Sequence, residues 1–133
     1  MDLVNEEGLP MDVEEIAKQV QGKRVALYFG AGWCPMCRDL EFMLPQYMDA
    51  LKESAQDICL IYVSSDQAAE FQWDRMQKLS IPLGVNYSTA NALKSKYGIW
   101  AGMESRNFVE PEQPRRSGVP AFVVLDTEGN ELK

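Results

Sequence analysis

Two periodicities alternate along this chain. Val25-Ala26-Leu27-Tyr28-Phe29 and Ile58-Cys59-Leu60-Ile61-Tyr62-Val63 are unbroken apolar runs of strand length, the pattern of strands buried on both faces. Ala121-Phe122-Val123-Val124-Leu125 is a third. Between the first two, Leu40, Met43, Leu44, Tyr47, Met48 and Leu51 recur at three- and four-residue spacing, which predicts a helix from Pro35 to about Glu53. Pro45 lies inside it and predicts a kink.

Shorter helices are predicted over Asp12–Gln19 (Val13, Ile16, Ala17, with Val20 beyond), over Ala68–Leu79 (Phe71, Met76, Leu79) and over Thr89–Tyr97, with Gly98 closing the last. Gly22-Lys23-Arg24, Gly30-Ala31-Gly32 and the capping segment Ser64–Gln67 punctuate these elements. Ile81–Val85 reads as irregular or as a short edge element, and a polar, proline-bearing loop runs from about Trp100 to Gly118. Asp126–Asn130 predicts a hairpin turn from which Glu131-Leu132-Lys133 begins a returning strand. Helices alternating with buried strands predict an α/β fold with a mixed, largely parallel sheet.

No repeat, low-complexity tract or linker divides the chain. Its 133 residues suit one domain with a real core, with 1–21 as an N-terminal extension and helix and 100–118 as a long loop. No apolar stretch is long enough to cross a membrane, and the first residues, Met1-Asp2-Leu3-Val4-Asn5-Glu6-Glu7, lack the basic flank and apolar run of a secretory signal. The expectation is a cytoplasmic chain. With 20 acidic against 13 basic residues the net charge is −7, a field that repels a phosphate backbone, and no Lys/Arg cluster overrides it.

There is no histidine. That removes Ser-His-Asp and Cys-His catalysis and every zinc site that needs imidazole. Three cysteines are present, too few for a disulfide-stapled scaffold, and two of them form Trp33-Cys34-Pro35-Met36-Cys37. The pair falls where a buried strand ends and a helix begins. At that spacing both sulfurs share a helix face, within reach of a disulfide.

The free N–H groups of the first helical turn favour a thiolate at Cys34. Pro35 suits the first helical position, and Arg38 adds a nearby cation. Thiolate fraction governs attack on a disulfide, so Cys34 is expected to attack and the deeper Cys37 to resolve. The redox group would be the Cys34–Cys37 disulfide itself, with no added cofactor and no metal. A metal site needs about four ligands, and one chain offers this pair plus Cys59, which leaves only a cluster shared between two chains. Cys59 lies mid-strand and reads as a small core hydrophobe. Glu14, Glu15, Glu41, Glu53 and Glu70 mostly lie opposite apolar helix stripes and read as solvated.

Trp33-Cys34-Pro35-Met36-Cys37-Arg38 resembles the thioredoxin superfamily, and its tryparedoxin/nucleoredoxin branch in particular. Tyr28-Phe29-Gly30-Ala31-Gly32 is similar to that branch's lead-in, with Tyr28 where ordinary thioredoxins carry a buried Asp. Val63-Ser64-Ser65-Asp66 is similar to the nucleoredoxin pattern, and Gly118-Val119-Pro120 with the strand after it resembles the family's cis-proline loop. The resemblance implies a thioredoxin-like fold, a central mixed sheet flanked by helices, over roughly 22–133.

It also implies a cis Pro120 facing Cys34, with Trp33, Pro35, Met36, Val119 and Pro120 contacting substrate. Protein disulfides would be the substrates and a separate dithiol the upstream reductant. Without the buried Asp, the proton of Cys37 must leave to water or with Cys34 as leaving thiolate, unless Asp66 or Glu41 reaches the site. Pro-Met replaces the branch's Pro-Pro, and Pro45 falls later than the family's helix proline. The family continues past Lys133 into a strand and a helix that covers one sheet face; here that cover would come from the 100–117 loop, a second subunit or further chain.

Three functions compete. The first is a protein-disulfide reductase. The second is a redox-sensitive protein-binding module of nucleoredoxin type, docking through Trp33, Met36, Trp73 and Trp100. The third is a peroxiredoxin-like peroxide reductase, disfavoured because Ala31 stands where that chemistry needs a Thr or Ser.

Overall fold

The computed structural model describes residues 1–132. Each of the three apolar runs is a strand: Arg24–Gly30 (β2), Ile58–Ser64 (β3) and Ala121–Leu125 (β5). Two further strands complete the sheet, Leu3–Val4 (β1) and Leu83–Val85 (β4), and the order across it is β1-β4-β3-β2-β5. β2–β3 and β3–β4 are parallel, while β1 and β5 run antiparallel to their neighbours. The sheet is therefore mixed with a parallel centre.

Two expectations change here. Leu3–Val4 has no signature in the sequence, since two residues carry no periodicity; pairing with Val85 and Gly84 makes them a strand. Leu83–Val85 is not an edge element, since β1 closes its outer side. Beyond β5, Asp126 Oδ1 accepts the Glu128 and Asn130 amides, both at 2.9 Å. The expected return strand is reduced to a bridge between Leu125 and Glu131, and Lys133 lies outside the described residues.

The helices are Val13–Val20 (α1), Pro35–Glu53 (α2), Ala69–Leu79 (α3) and Ala90–Tyr97 (α4). Asp12 caps α1 by accepting the Glu15 amide at 2.8 Å. Gly98 ends α4 at φ +68°, where a Cβ would sit 2.4 Å from the Pro114 carbonyl oxygen; only glycine fits that turn. α2 runs unbroken through Pro45.

Side chains alternate to the two faces of β2 and β3 and so build two cores. Leu27, Phe29, Ile61, Val63, Val123 and Leu125 face one way, packed by Ile16 and Val20 of α1 and by Ala90, Leu93 and Tyr97 of α4. Ala26, Tyr28, Leu60 and Tyr62 face the other, against Leu44 and Met48 of α2 and Met76 of α3. In α3 the buried pair is Gln72 and Met76, and Phe71 is exposed. Gln72 is tied to the sheet through Nε2, which donates to the Val85 carbonyl at 2.9 Å.

The 100–118 segment contains a 3₁₀ helix, Gly102–Asn107, and a small core of its own, in which Trp100 stacks on Phe108 at 4.4 Å between centroids. Glu104 ties it down, accepting from Lys94 Nζ at 2.7 Å and from Ser65 Oγ at 2.6 Å. A separate apolar groove of about 630 Å³ runs along α2, between Met43, Tyr47 and Leu51 of the helix and Ala26, Phe122 and Val124 of the sheet.

Candidate active site

The site forms where β2 ends and α2 begins. Cys34 is the N-cap of α2, and its Sγ accepts the Cys37 amide at 3.2 Å. Pro35 takes the first helical position, where no donor is needed. Facing Cys34 across a gap is the Val119–Pro120 loop, whose peptide bond is cis. The Val119 carbonyl stands 3.8 Å from Cys34 Sγ. Ala31, Cys34, Cys37 and Val119 form one contact cluster.

The two sulfurs differ in exposure: Cys34 keeps 5% of its surface open and Cys37 none. Burial, with the hydrogen bond to Cys34 next, pushes the Cys37 thiol up to about 12. All three cysteines are free thiols. Cys59 lies in the core on β3, and burial raises its thiol too.

The loop ahead of Cys34 is held from two sides. Asp66 Oδ1 accepts the Gly32 amide at 2.7 Å, and Arg38 Nε donates to the Gly32 carbonyl at 2.6 Å. Asp66 is itself oriented by Tyr62 and Ser64, whose hydroxyls donate to Oδ2 at 2.8 and 2.7 Å. Arg38 is thus a clamp on the loop as well as a nearby cation. Trp33 is half out of the surface with its Nε1 donating to the Ser65 carbonyl at 2.9 Å, and Met36 is exposed beside it. Trp33, Pro35, Met36, Val119 and Pro120 therefore surround the mouth over Cys34.

Two expectations fail. Trp100 is buried and Trp73 packs against Gly8, so they do not join Trp33 and Met36 in a tryptophan-rich docking surface. Glu41, expected to be solvated, is 4% exposed. Its Oε2 accepts the Tyr28 hydroxyl at 2.6 Å, and its Oε1 accepts from Arg75 Nε at 3.0 Å and from Arg75 Nη2.

Burial drives the Tyr28 phenol far above its ordinary value, reinforced by the hydrogen bond and charge of Glu41 and by Cys37. The signal for Glu41 was in the spacing. It follows Cys37 by four residues and so lies on the same helix face, but the stripe of hydrophobics beside it read as the only buried one.

A buried strand delivering a two-cysteine motif to a helix N-terminus, opposite a cis-proline loop, defines a thioredoxin-like protein. A thioredoxin-like family model matches residues 22–131, and the chain belongs to that family. Nucleoredoxin of Mus musculus is 28% identical over 119 residues, 87% of this chain and 23% of that protein. Probable nucleoredoxin 3 of Arabidopsis thaliana is 31% identical over 83 residues, 60% of this chain and 21% of that protein.

The chain spans about a quarter of the length of these curated relatives. In fold it is similar to thioredoxin from Wuchereria bancrofti (TM-score 0.69, 23% identity, 100% of this chain and 80% of that one). It is also similar to tryparedoxin I from Crithidia fasciculata (TM-score 0.63, 21% identity, 99% and 78%). The curated relatives it matches in sequence are nucleoredoxins.

Proposed function

We propose that this chain is a protein-disulfide reductase that cycles through a Cys34–Cys37 disulfide. The observation that carries the reading is an N-capping Cys34 whose Sγ stands opposite the Val119 carbonyl, paired with a Cys37 that is wholly buried beneath it. The Cys37 amide, donating to Cys34 Sγ at 3.2 Å, fixes that sulfur at the helix N-terminus.

In the forward direction Cys34 thiolate attacks one sulfur of a substrate disulfide. A Cys34–substrate bond forms, and the other substrate sulfur leaves with the electron pair. Cys37, having lost its proton, then attacks Cys34 sulfur and closes the intramolecular disulfide, and the second substrate thiolate departs. Two electrons pass from the dithiol to the substrate. A separate dithiol of lower potential reverses the sequence to regenerate the enzyme.

The dithiol serves as its own redox group. Extended substrate lies along Val119–Pro120 in the manner of an added strand, with Trp33, Pro35 and Met36 against its side chains. A reducing compartment such as the cytoplasm suits a site that must return to the dithiol. Insulin reduction driven by a small dithiol tests the reading: wild type precipitates the B chain and Cys34→Ser does not. Equal activity in the two proteins overturns it.

A further inference from the structure

Closing the disulfide requires the fully buried Cys37 to give up a proton in a chain with no histidine, and one helical turn along the same face of α2 stands Glu41, itself buried and hydrogen-bonded to Tyr28. Three elements meet there. Tyr28 comes from β2, Glu41 from α2 one turn after Cys37, and Arg75 from α3. Tyr28 hydroxyl donates to Glu41 Oε2 at 2.6 Å, and Arg75 holds the other carboxylate oxygen. Tyr28, Cys37 and Glu41 are all buried.

We infer that Glu41, acting through the Tyr28 hydroxyl, accepts the proton that Cys37 loses as the Cys34–Cys37 disulfide closes, an inference that rests on the oxidoreductase reading above. Glu41 is then a positioning residue, and Tyr28 is the bridge. The Cys37 proton passes to the Tyr28 oxygen while the Tyr28 proton passes to Glu41 Oε2. The Cys37 sulfur attacks Cys34, the bond from Cys34 to substrate breaks, and the substrate sulfur leaves with the electron pair.

Glu41 returns its proton to water, and the released thiolate is protonated from solvent, so charge and atoms balance. An exit exists. A cavity of about 380 Å³ reaches Glu41 between α2 and the end of α3, lined also by Pro45, Asp49, Lys78 and Pro82.

The titratable and charged groups facing this cluster are few. On the sheet side they are Tyr28 and, behind it, Tyr62 with its partner Asp66. From α3 come Arg75 and Lys78 and from α2 Cys37 and Asp49, while Cys59 of β3 and Lys23 also line the cavity. Arg75 compensates the buried charge on one oxygen and leaves the other for Tyr28. A mere staple between α2 and α3 would need the Glu41–Arg75 pair alone, whereas Glu41 also accepts the buried Tyr28 hydroxyl, on which Cys37 acts in turn.

Electrostatics and relay predict opposite signs. The Glu41 charge is among the causes that raise Cys37, so neutralising it without a relay would speed closure. Losing a general base slows it, by a factor that reaches about a hundred or more.

The test uses the full chain in a Cys59→Ala background and an aromatic disulfide whose released thiolate is coloured. The first release reports attack by Cys34 and the second reports closure by Cys37, both followed by stopped flow between about pH 6 and 9. In Glu41→Gln the second release is expected to slow by about tenfold or more near pH 7. It also becomes proportional to hydroxide, so the gap to wild type narrows as pH rises. Tyr28→Phe, which keeps the Glu41–Arg75 pair, is expected to behave alike, and the first release is unchanged in both.

A second release in Glu41→Gln that is as fast as wild type or faster overturns the relay. So does slowing by one constant factor at every pH, the signature of a structural role. If wild type shows no second release, or Cys34→Ser retains the first, the oxidoreductase reading itself fails, and that result is distinct from failure of the relay.

Discussion

Two thiols three residues apart become chemically unequal through their surroundings. Cys34 caps a helix N-terminus opposite the Val119 carbonyl; Cys37 is fully buried and within the electrostatic influence of Glu41 and Tyr28. Cys37→Ser is therefore expected to leave attack intact and to stop resolution. A substrate-sized adduct on Cys34 then accumulates, visible by mass spectrometry, and turnover falls by about a hundredfold or more.

The Cys37 shift also has a stability signature. A thiol raised from 9.0 to about 12 contributes stability that is whole below 9.0 and lost as pH climbs from there toward about 12. Urea unfolding of the reduced protein is expected to weaken across that window, by on the order of 1 kcal/mol per pH unit from this group. Tyr28, Tyr62 and Cys59 are raised as well, so the check is the difference from Cys37→Ala, whose profile should be shallower. Identical profiles would count against the buried thiol.

At the scale of elements, α2 is held at three points: its N-terminus by the Gly32 clamp, its middle by Leu44, and its Glu41 face by α3 through Arg75. The Arg75 side chain is mostly buried and Glu41 almost wholly so. Arg75→Met removes one partner and strands a buried carboxylate, which costs about 3 kcal/mol or more. Adding Glu41→Gln should recover part of that loss in urea unfolding, because a neutral amide needs no counter-charge. If the double variant is no more stable than Arg75→Met, the ion pair is not what joins the helices.

Legibility divides along the same line. The helices and the three long strands were readable because each carries its own period over many residues. β1, the inner place of β4 and the 3₁₀ helix Gly102–Asn107 were not, since each depends on a partner distant in sequence. The 100–118 segment reads as a polar, proline-bearing loop because its Trp100, Ala101 and Phe108 are too few for a pattern, yet all three are buried and Trp100 stacks on Phe108.

The whole molecule combines a strong net charge with an exposed apolar strip. Its net charge of −7 keeps copies apart, while Met43 at 64% exposure, Tyr47 at 63% and Phe122 at 41% leave apolar surface along α2. The 100–118 segment is tied down at Ser65 and Lys94, away from that groove. A dye that brightens in apolar surroundings is expected to bind there, with Met43→Lys plus Tyr47→Lys cutting its fluorescence by about half or more. Insulin reduction should stay within about twofold, since neither side chain reaches Cys34. Unchanged fluorescence would place the dye elsewhere.

By itself the sequence determined the class of fold and placed Cys34 and Cys37 together at a helix start, because a two-cysteine helix start and two-sided strands are local patterns. The tertiary structure alone decided what lies behind the site. Whether Glu41 meets water or Tyr28 and Arg75 depends on how α2 is rotated against β2 and α3, and that rotation is set by packing between elements that no local spacing encodes.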